Sequence, residues 1–137
     1  MKTTIAVVGA AFVKEGKLFA ARRSYGSRYV IHKYEFVGGK IEEGESGEQA
    51  IVRECREELD ADVTVCRKVG FSSYEYPDKI VDITVYLCEM PGGYTVKEHE
   101  DCRWIPFSEL SADEWAPADR GILEELREQF GANYALV

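Results

Sequence analysis

The sequence predicts a single α/β domain in which helices cover a β-sheet. Three observations favour this class. The chain has 137 residues, which is enough for one core. Apolar, β-branched runs typical of strands recur along the chain, and two amphipathic segments have helical spacing. No repeat or low-complexity linker divides the chain, so we expect the domain to span residues 1–137.

The first predicted element is a β-hairpin. Residues 3–13 are apolar and β-branched, and residues 18–23 form a second such run after a turn that contains glycine. A short strand is predicted at residues 34–37. The Gly38-Gly39 pair that follows indicates either a turn or a close approach of the backbone to a ligand.

A helix is predicted after these glycines. Ser46 is a favoured N-cap, and Gln49 completes a capping-box pattern with it. The apolar spacing predicts that this helix ends near Leu59.

The second half of the chain predicts three strands and a helix. Strands are expected at residues 62–74 and 80–89, and a short one at 103–105. Apolar and polar residues alternate in the second of these, so we expect one buried face. A final amphipathic helix is expected at residues 119–130, with Gly131 ending it.

The composition limits the classes of partner. The net charge is −8, which argues against a nucleic-acid duplex because neutralising its phosphates needs clustered Lys and Arg. A phosphorylated small molecule fits better, since divalent cations reverse the local sign of an acidic protein. Neither a signal peptide nor an apolar run of ~18 residues is found, so we expect a soluble, cytoplasmic protein. We expect reduced, mostly buried thiols at Cys55, Cys66, Cys88 and Cys102.

An acidic stripe on the first predicted helix points most directly to chemistry. Glu54, Glu57 and Glu58 share one arc of the helix and border its apolar face. Like charges four residues apart destabilise a helix by roughly 0.2–0.5 kcal/mol, and the C-terminal half of a helix disfavours anions. A solvated acidic face is the plain alternative. A bound divalent cation accounts for the cluster better, and oxygen ligands suit Mg²⁺, with Mn²⁺ as a substitute.

Residues 39–61 resemble the Nudix box, whose pattern is G-x5-E-x7-R-E-U-x-E-E-x-G-U with U an aliphatic residue. Asp60 stands in place of the closing glycine, and Cys55 and Ala61 stand at aliphatic positions. Asp tolerates a left-handed backbone, so Asp60 can still end the helix. The positions that match are Gly39, Glu45, Arg53, Glu54, Glu57 and Glu58.

The resemblance to the Nudix superfamily implies an α/β/α sandwich with a mixed β-sheet between its helices. It also implies a Mg²⁺-dependent hydrolase that cuts a nucleoside triphosphate into a monophosphate and pyrophosphate. Arg53 would orient the carboxylates, together with Glu45. The implied metal ligands are the carboxylates of Glu54, Glu57 and Glu58 and the backbone carbonyl of Gly39.

Weaker similarity to the MutT-like branch, and to its CTP pyrophosphohydrolases in particular, runs nearly end to end. It implies that Arg23 reaches the nucleotide, that Tyr76 flanks the base and that Asp119 contacts the base. Lys40 would offer charge to the phosphates. Each has a structural alternative: a surface cation for Arg23 and Lys40, a core aromatic for Tyr76 and a helix N-cap for Asp119.

The same similarity implies a loop carboxylate at Glu98, as a further metal ligand or as the base for the attacking water. Glu100 is the alternative for this role, and a solvated acidic loop is the structural one. His32 and His99 show no pattern of partners, and both are expected to be surface or loop residues.

The resemblance leaves the substrate open. A carboxylate at position 119 suits a cytosine amino group and also the donor edge of an oxidised guanine. CTP, dCTP or a modified cytosine nucleotide is therefore expected first, with 8-oxo-dGTP as the alternative. Cleavage of dinucleoside polyphosphates or nucleotide sugars, or nucleotide sensing without catalysis, are further alternatives. The partner is a small nucleotide in each case, and the protein is expected to be a monomer or a homodimer.

Overall fold

Strands and helices follow one another largely as the sequence predicts. The structure, a computed structural model, describes residues 1–131; residues 132–137 of the expected domain lie outside this part. The helices are α1 (Gly47–Leu59) and α2 (Pro117–Leu126), and a π-helical turn (Arg127–Gly131) follows α2. The strands are β1 (Thr3–Lys14), β2 (Lys17–Arg22), β3 (Tyr34–Glu35), β4 (Val37–Lys40), β5 (Thr64–Glu75), β6 (Lys79–Glu89) and β7 (Cys102–Pro106).

The strands form one mixed sheet in the order β3-β2-β1-β6-β5, with β4 also paired to β1 and β7 to β2. Only the β1–β6 pairing among them is parallel, and it runs in register from Thr3 opposite Lys79 to Phe12 opposite Cys88. Parallel neighbours need a crossover and are normally covered on both faces. The long connection from β1 to β6 provides the crossover, because it contains α1.

Two apolar clusters fill the two faces of this sheet. One contains Ile122 and Leu126 of α2, and the other contains Ile51 and Leu59 of α1. The predicted α/β/α sandwich is therefore confirmed. The expectation of a single buried face on β6 is wrong: Ile83 and Val85 pack under α2, whereas Tyr86 and Cys88 pack under α1.

Helix α1 begins and ends as its sequence predicts. The Ser46 hydroxyl accepts from the Gln49 N–H at 3.1 Å, and the Gln49 side chain accepts from the Ser46 N–H at 2.9 Å. Asp60 adopts the left-handed conformation with φ of 50° and ends the helix. The departure from glycine at this position therefore leaves the end of the helix intact.

The region around the paired glycines differs from expectation. The strand expected at residues 34–37 is divided between β3 and β4, and Gly38 and Gly39 lie in β4 opposite β1 rather than in a turn. A Cβ atom at Gly38 would overlap the carbonyl oxygen of Val8. Glycine at this position therefore permits two backbones to pack closely, which a sequence pattern cannot distinguish from a turn.

Helix α2 starts two residues earlier than expected. Pro117 occupies its first turn, where a missing N–H costs little. Ala116 is the N-cap, so the interpretation of Asp119 as an N-cap is wrong.

All four cysteines are free thiols. Cys55 and Cys88 are buried, Cys102 is half-buried and Cys66 is exposed. Burial raises the pKa of Cys88 to about 12. In residues 1–131, no helix has both the length and the apolar character needed to cross a membrane.

We predict that Gly38→Ala destabilises the fold. The added methyl group has only rigid backbone to displace, and forced overpacking of this kind costs roughly 1–3 kcal/mol. Urea denaturation would measure the loss in free energy of unfolding. Gly92→Ala is the matched control, because a Cβ at Gly92 meets no atom within 4 Å. Equal stability of the two variants would contradict the close approach of β4 to β1.

Candidate active site

A cleft of about 630 Å³ is lined by strands of the sheet and by residues of both helices. It brings together segments that are far apart in sequence: β4, α1, the loop before β7 and the start of α2. The site residues expected from the sequence line it, except Arg53 and its partner Glu45. They are Arg23, Gly39, Lys40, Glu54, Glu57, Glu58, Tyr76, Glu98 and Asp119.

The contact between β4 and α1 sets the acidic part of the cleft. A Cβ atom at Gly39 would overlap the Glu54 carboxylate, so any other residue here would require that carboxylate to move from its place beside β4. The Lys40 carbonyl accepts from Arg53 Nη2 at 3.0 Å, which ties the end of β4 to α1. The Lys40 side chain itself is exposed at the rim.

Arg53 connects the carboxylates of the loop and the helix. Its Nε and Nη2 donate to the two oxygens of Glu45 at 2.7 and 3.0 Å, a bidentate pair that fixes the guanidinium plane. Its Nη1 lies 2.6 Å from Glu54 Oε1 and 3.3 Å from Glu57 Oε2. The expected pairing of Arg53 with Glu45 is present, and it orients two of the three helix carboxylates.

The acidic stripe is partly desolvated. The side chains of Glu54 and Glu58 are 15% and 13% exposed, whereas that of Glu57 is 59% exposed. Burial raises the pKa of Glu54. Burial, followed by the charges of Glu35, Glu54 and Glu98, raises the pKa of Glu58 to about 9.

A divalent cation fits this environment. Glu58 Oε2 is buried without a hydrogen-bond partner in the described part of the chain. An unpaired buried oxygen among like charges is unfavourable, and a cation coordinated there would remove both penalties. The surrounding donors are carboxylate oxygens, which are the ligands that Mg²⁺ and Mn²⁺ prefer.

His99 lies in the loop before β7, as one of the two expected settings requires, but it is buried rather than exposed. Its side chain is only 4% exposed, and its Nε2 lies 2.9 Å from Glu35 Oε2 and 3.8 Å from Glu58 Oε1. Ligand atoms of these three side chains lie within 4.8 Å of one another. The polar run around His99 predicts exposure, and its partner Glu35 is too distant in sequence for any local pattern to reveal the contact.

Glu35 is a site residue that sequence reasoning missed. It accepts from Arg23 Nη1 at 3.0 Å as well as from His99, and it lines the cleft. Arg23 is therefore an ion-paired residue of the cleft wall, with its guanidinium 4.8 Å from the centre of the Tyr25 ring. The sequence offered one signal for a role of Glu35: it is a charged residue between two aromatic residues in a predicted strand.

Asp119 is buried at the cleft wall. Its Oδ2 accepts from the Phe36 N–H at 2.9 Å. Burial, followed by the charge of Glu35, raises the pKa of Asp119 to about 8. This shift favours the protonated carboxyl group, which would be a hydrogen-bond donor in the cleft.

Tyr76 is both a core residue and a cleft residue. Its ring is buried, and its hydroxyl accepts from the Ala118 N–H at 3.1 Å. This bond secures the first turn of α2 against the segment before β6. The rings of Tyr29 and Tyr74 lie 6.4 and 4.8 Å from it, so aromatic side chains surround this part of the cleft.

The structure distinguishes the two loop carboxylates. Glu98 lines the cleft, and its carbonyl accepts from the Ser24 hydroxyl at 2.5 Å. Glu100 instead lies 2.5 Å from Nδ1 of the exposed His32. This arrangement favours Glu98 over Glu100 for a role in the cleft.

Comparison with known proteins agrees with these features. The sequence profile of the NUDIX domain matches residues 2–126. A relative from Escherichia coli (strain K12), an 8-oxo-dGTP diphosphatase, is 32% identical over 93% of this chain and 98% of its own length. A CTP pyrophosphohydrolase from the same organism is 35% identical over 88% of this chain and 89% of its own length. The solution structure of the E. coli ORF135 protein matches with a TM-score of 0.80 and 33% identity, covering 98% of this chain and 96% of that one.

We predict that Asp119 makes the protein less stable as pH rises. Its pKa increases from 3.8 to about 8 on folding, so the folded state binds more protons than the unfolded state between these values. The contribution of Asp119 to the free energy of unfolding is complete below pH 3.8. It is lost as the pH rises toward about 8, by up to about 1.4 kcal/mol per pH unit.

Asp119→Asn removes this titration while keeping an acceptor for the Phe36 N–H. The variant should gain stability over the parent chain between about pH 5 and about pH 8.5, measured by denaturation without divalent cations. Asp113→Asn, at an exposed position, is the control, and its free energy of unfolding should differ from that of the parent chain by the same amount at every pH. A constant difference for Asp119→Asn as well would contradict the raised pKa.

Proposed function

This chain belongs to the NUDIX domain family and hydrolyses phosphoanhydride bonds of nucleotides, and we propose that it cuts a nucleoside triphosphate into a monophosphate and pyrophosphate with Mg²⁺. One observation carries this proposal: half-buried carboxylates of α1, oriented by Arg53, face a cleft with room for a nucleotide. Residues 1–137 would form a single domain. The protein would act as a monomer or as a homodimer.

The proposed metal ligands are the residues that border the acidic part of the cleft. A divalent cation, Mg²⁺ or Mn²⁺, would neutralise phosphate oxygens and acidify a water molecule there. Arg53 is a positioning residue for Glu54 and Glu57. The ligands are the carboxylates of Glu54, Glu57, Glu58 and Glu98 and the backbone carbonyl of Gly39.

The remaining charged groups fit roles in binding and proton transfer. Glu98 lines the cleft from a loop rather than from α1, and we propose that it accepts the proton of the attacking water. Lys40 at the rim offers positive charge to the phosphates. Arg23, held by Glu35, offers its remaining N–H groups to the nucleotide. Water attacks the phosphoanhydride directly, and the enzyme forms no covalent intermediate.

The protonation of Asp119 favours a cytosine nucleotide as substrate. Oδ2 already accepts from Phe36, which leaves Oδ1 for the base. A protonated Oδ1 can donate to N3 of cytosine, an acceptor, but it opposes the N1–H of guanine or 8-oxoguanine, a donor. We therefore propose CTP, dCTP or a modified cytosine nucleotide. The similarity to an 8-oxo-dGTP diphosphatase supports 8-oxo-dGTP as the second candidate.

Pyrophosphate release from a panel of nucleotides tests the reaction. The panel contains the common ribo- and deoxyribonucleoside triphosphates, 5-methyl-dCTP, 8-oxo-dGTP, diadenosine tetraphosphate and ADP-ribose, each with Mg²⁺ and with EDTA. Metal-dependent release of monophosphate and pyrophosphate supports the proposal. Preferential cleavage of diadenosine tetraphosphate or ADP-ribose would instead indicate a hydrolase of dinucleoside polyphosphates or nucleotide sugars. Nucleotide binding without any cleavage would favour a sensing role instead.

We predict that Glu54→Gln and Glu58→Gln each lower kcat by at least ~100-fold, because each removes a charge that stabilises the reacting site. Steady-state pyrophosphate release at saturating Mg²⁺ measures the loss. Glu43→Gln changes an exposed glutamate just before α1 and should retain normal turnover. A variant of Glu58 that turns over normally would remove this residue from the proposed ligands.

We also predict that base preference depends on pH. As Asp119 ionises, Oδ1 becomes an acceptor, so the ratio of kcat/KM for dCTP to that for 8-oxo-dGTP should fall between about pH 6.5 and about pH 9. Asp119→Asn keeps a donor at every pH and should hold the ratio constant. A ratio with the same pH dependence in both proteins would exclude Asp119 as the source of the preference.

A further inference from the structure

His99 occupies an unusual position for a histidine outside the proposed ligands. Its ring is 4% exposed and lies between Glu35 of β3 and Glu58 of α1. Its Nδ1 is buried and has no hydrogen-bond partner among residues 1–131. A buried lone pair without a partner costs free energy, so the gain from placing this ring here must come from its other nitrogen.

The partners of the ring determine which nitrogen carries the proton. A carboxylate oxygen accepts hydrogen bonds, so Nε2 must donate to Glu35 Oε2 at 2.9 Å. This bond fixes the ring. The same N–H then lies 3.8 Å from Glu58 Oε1, which is too long for a hydrogen bond but close enough for electrostatic attraction.

The two oxygens of Glu58 therefore have different surroundings. Oε1 lies beside the N–H of His99, whereas Oε2 is buried and has no hydrogen-bond partner in residues 1–131. A carboxylate with one oxygen attracted to a fixed N–H and the other oxygen free is suited to coordinate a cation through the free oxygen.

The backbone on both sides of His99 is also held in place. The Glu98 carbonyl accepts from the Ser24 hydroxyl at 2.5 Å, and the Glu100 N–H donates to the Arg22 carbonyl at 2.9 Å. The buried ring is thus the side chain of a segment that is fastened to the end of β2. Its position restricts the loop that carries Glu98.

We propose that His99 is a positioning residue for the divalent cation: its Nε2–H, anchored on Glu35, orients Glu58 so that Oε2 faces the metal. The role requires a donor at the position of Nε2 and not merely a ring of the right size. The inference rests on the proposed function, because it takes Glu58 as a metal ligand.

Three substitutions of His99 distinguish the effect of its hydrogen-bond donor from the effect of its side-chain volume. In His99→Gln the side-chain amide can reach the position of Nε2 and donate there. In His99→Asn the amide reaches only as far as Nδ1, and His99→Ala leaves no donor. His32→Gln is the matched control, since His32 is exposed and lies outside the cleft lining.

The readout is the affinity of the full-length, metal-free protein for Mn²⁺, titrated by electron paramagnetic resonance, with the Tm of each variant. Loss of a group that orients a ligand typically weakens metal affinity by roughly 10–100-fold, and we expect this for His99→Asn and His99→Ala. His99→Gln and His32→Gln should bind close to the level of the parent chain. The kcat of His99→Asn should recover at high Mg²⁺ concentration, with KM for the nucleotide nearly unchanged.

Two results would overturn the inference. Unchanged Mn²⁺ affinity in His99→Asn and His99→Ala would show that Glu58 needs no partner here. Equal losses of affinity and of Tm in the Asn, Gln and Ala variants would show a role in packing alone. Glu58→Gln, titrated in parallel, tests the premise: if it binds Mn²⁺ normally, the proposed ligand set fails, whereas weakened binding by Glu58→Gln alone rejects only the role of His99.

Discussion

The guanidinium of Arg53 is the group on which the geometry of the site depends. It binds a loop through Glu45, the helix through Glu54 and Glu57, and the end of a strand through the Lys40 carbonyl. A planar group with five donors can satisfy these acceptors together, whereas the single ammonium of lysine cannot. The surrounding carboxylates raise the pKa of Arg53, so the charge that holds them is permanent.

One arginine does not offset all of the negative charge in the cleft. The raised pKa values of Glu58 and Asp119 have the same origin, which is burial beside other carboxylates. The two groups are nevertheless suited to different tasks. Glu58 has an unpaired buried oxygen that a cation can bind. Asp119 has one oxygen that accepts from the Phe36 N–H, and its other oxygen is the one proposed to contact the base.

Local signals in the sequence predicted the parts of the site that depend on local structure. The capping box at Ser46 and the left-handed residue at Asp60 set the limits of α1, and its helical periodicity placed the acidic stripe beside the core. The contacts of Glu35 and His99 could not be predicted in this way, because 64 positions separate the two residues. The strand at the paired glycines could not be distinguished from a turn for a similar reason. A side chain at Gly38 is excluded by Val8, which is a neighbour in the fold and not in the sequence.

Glu35 links the two parts of the cleft. It bonds to Arg23 and to His99, and its charge contributes to the raised pKa of both Glu58 and Asp119. A cation beside Glu58 would therefore add positive charge to the same electrostatic environment that raises the pKa of Asp119. Because charges in a partly desolvated cleft are screened less than those at a surface, occupancy of the proposed metal site would alter the protonation of Asp119. The preference among nucleotide bases should therefore be measured with the metal bound.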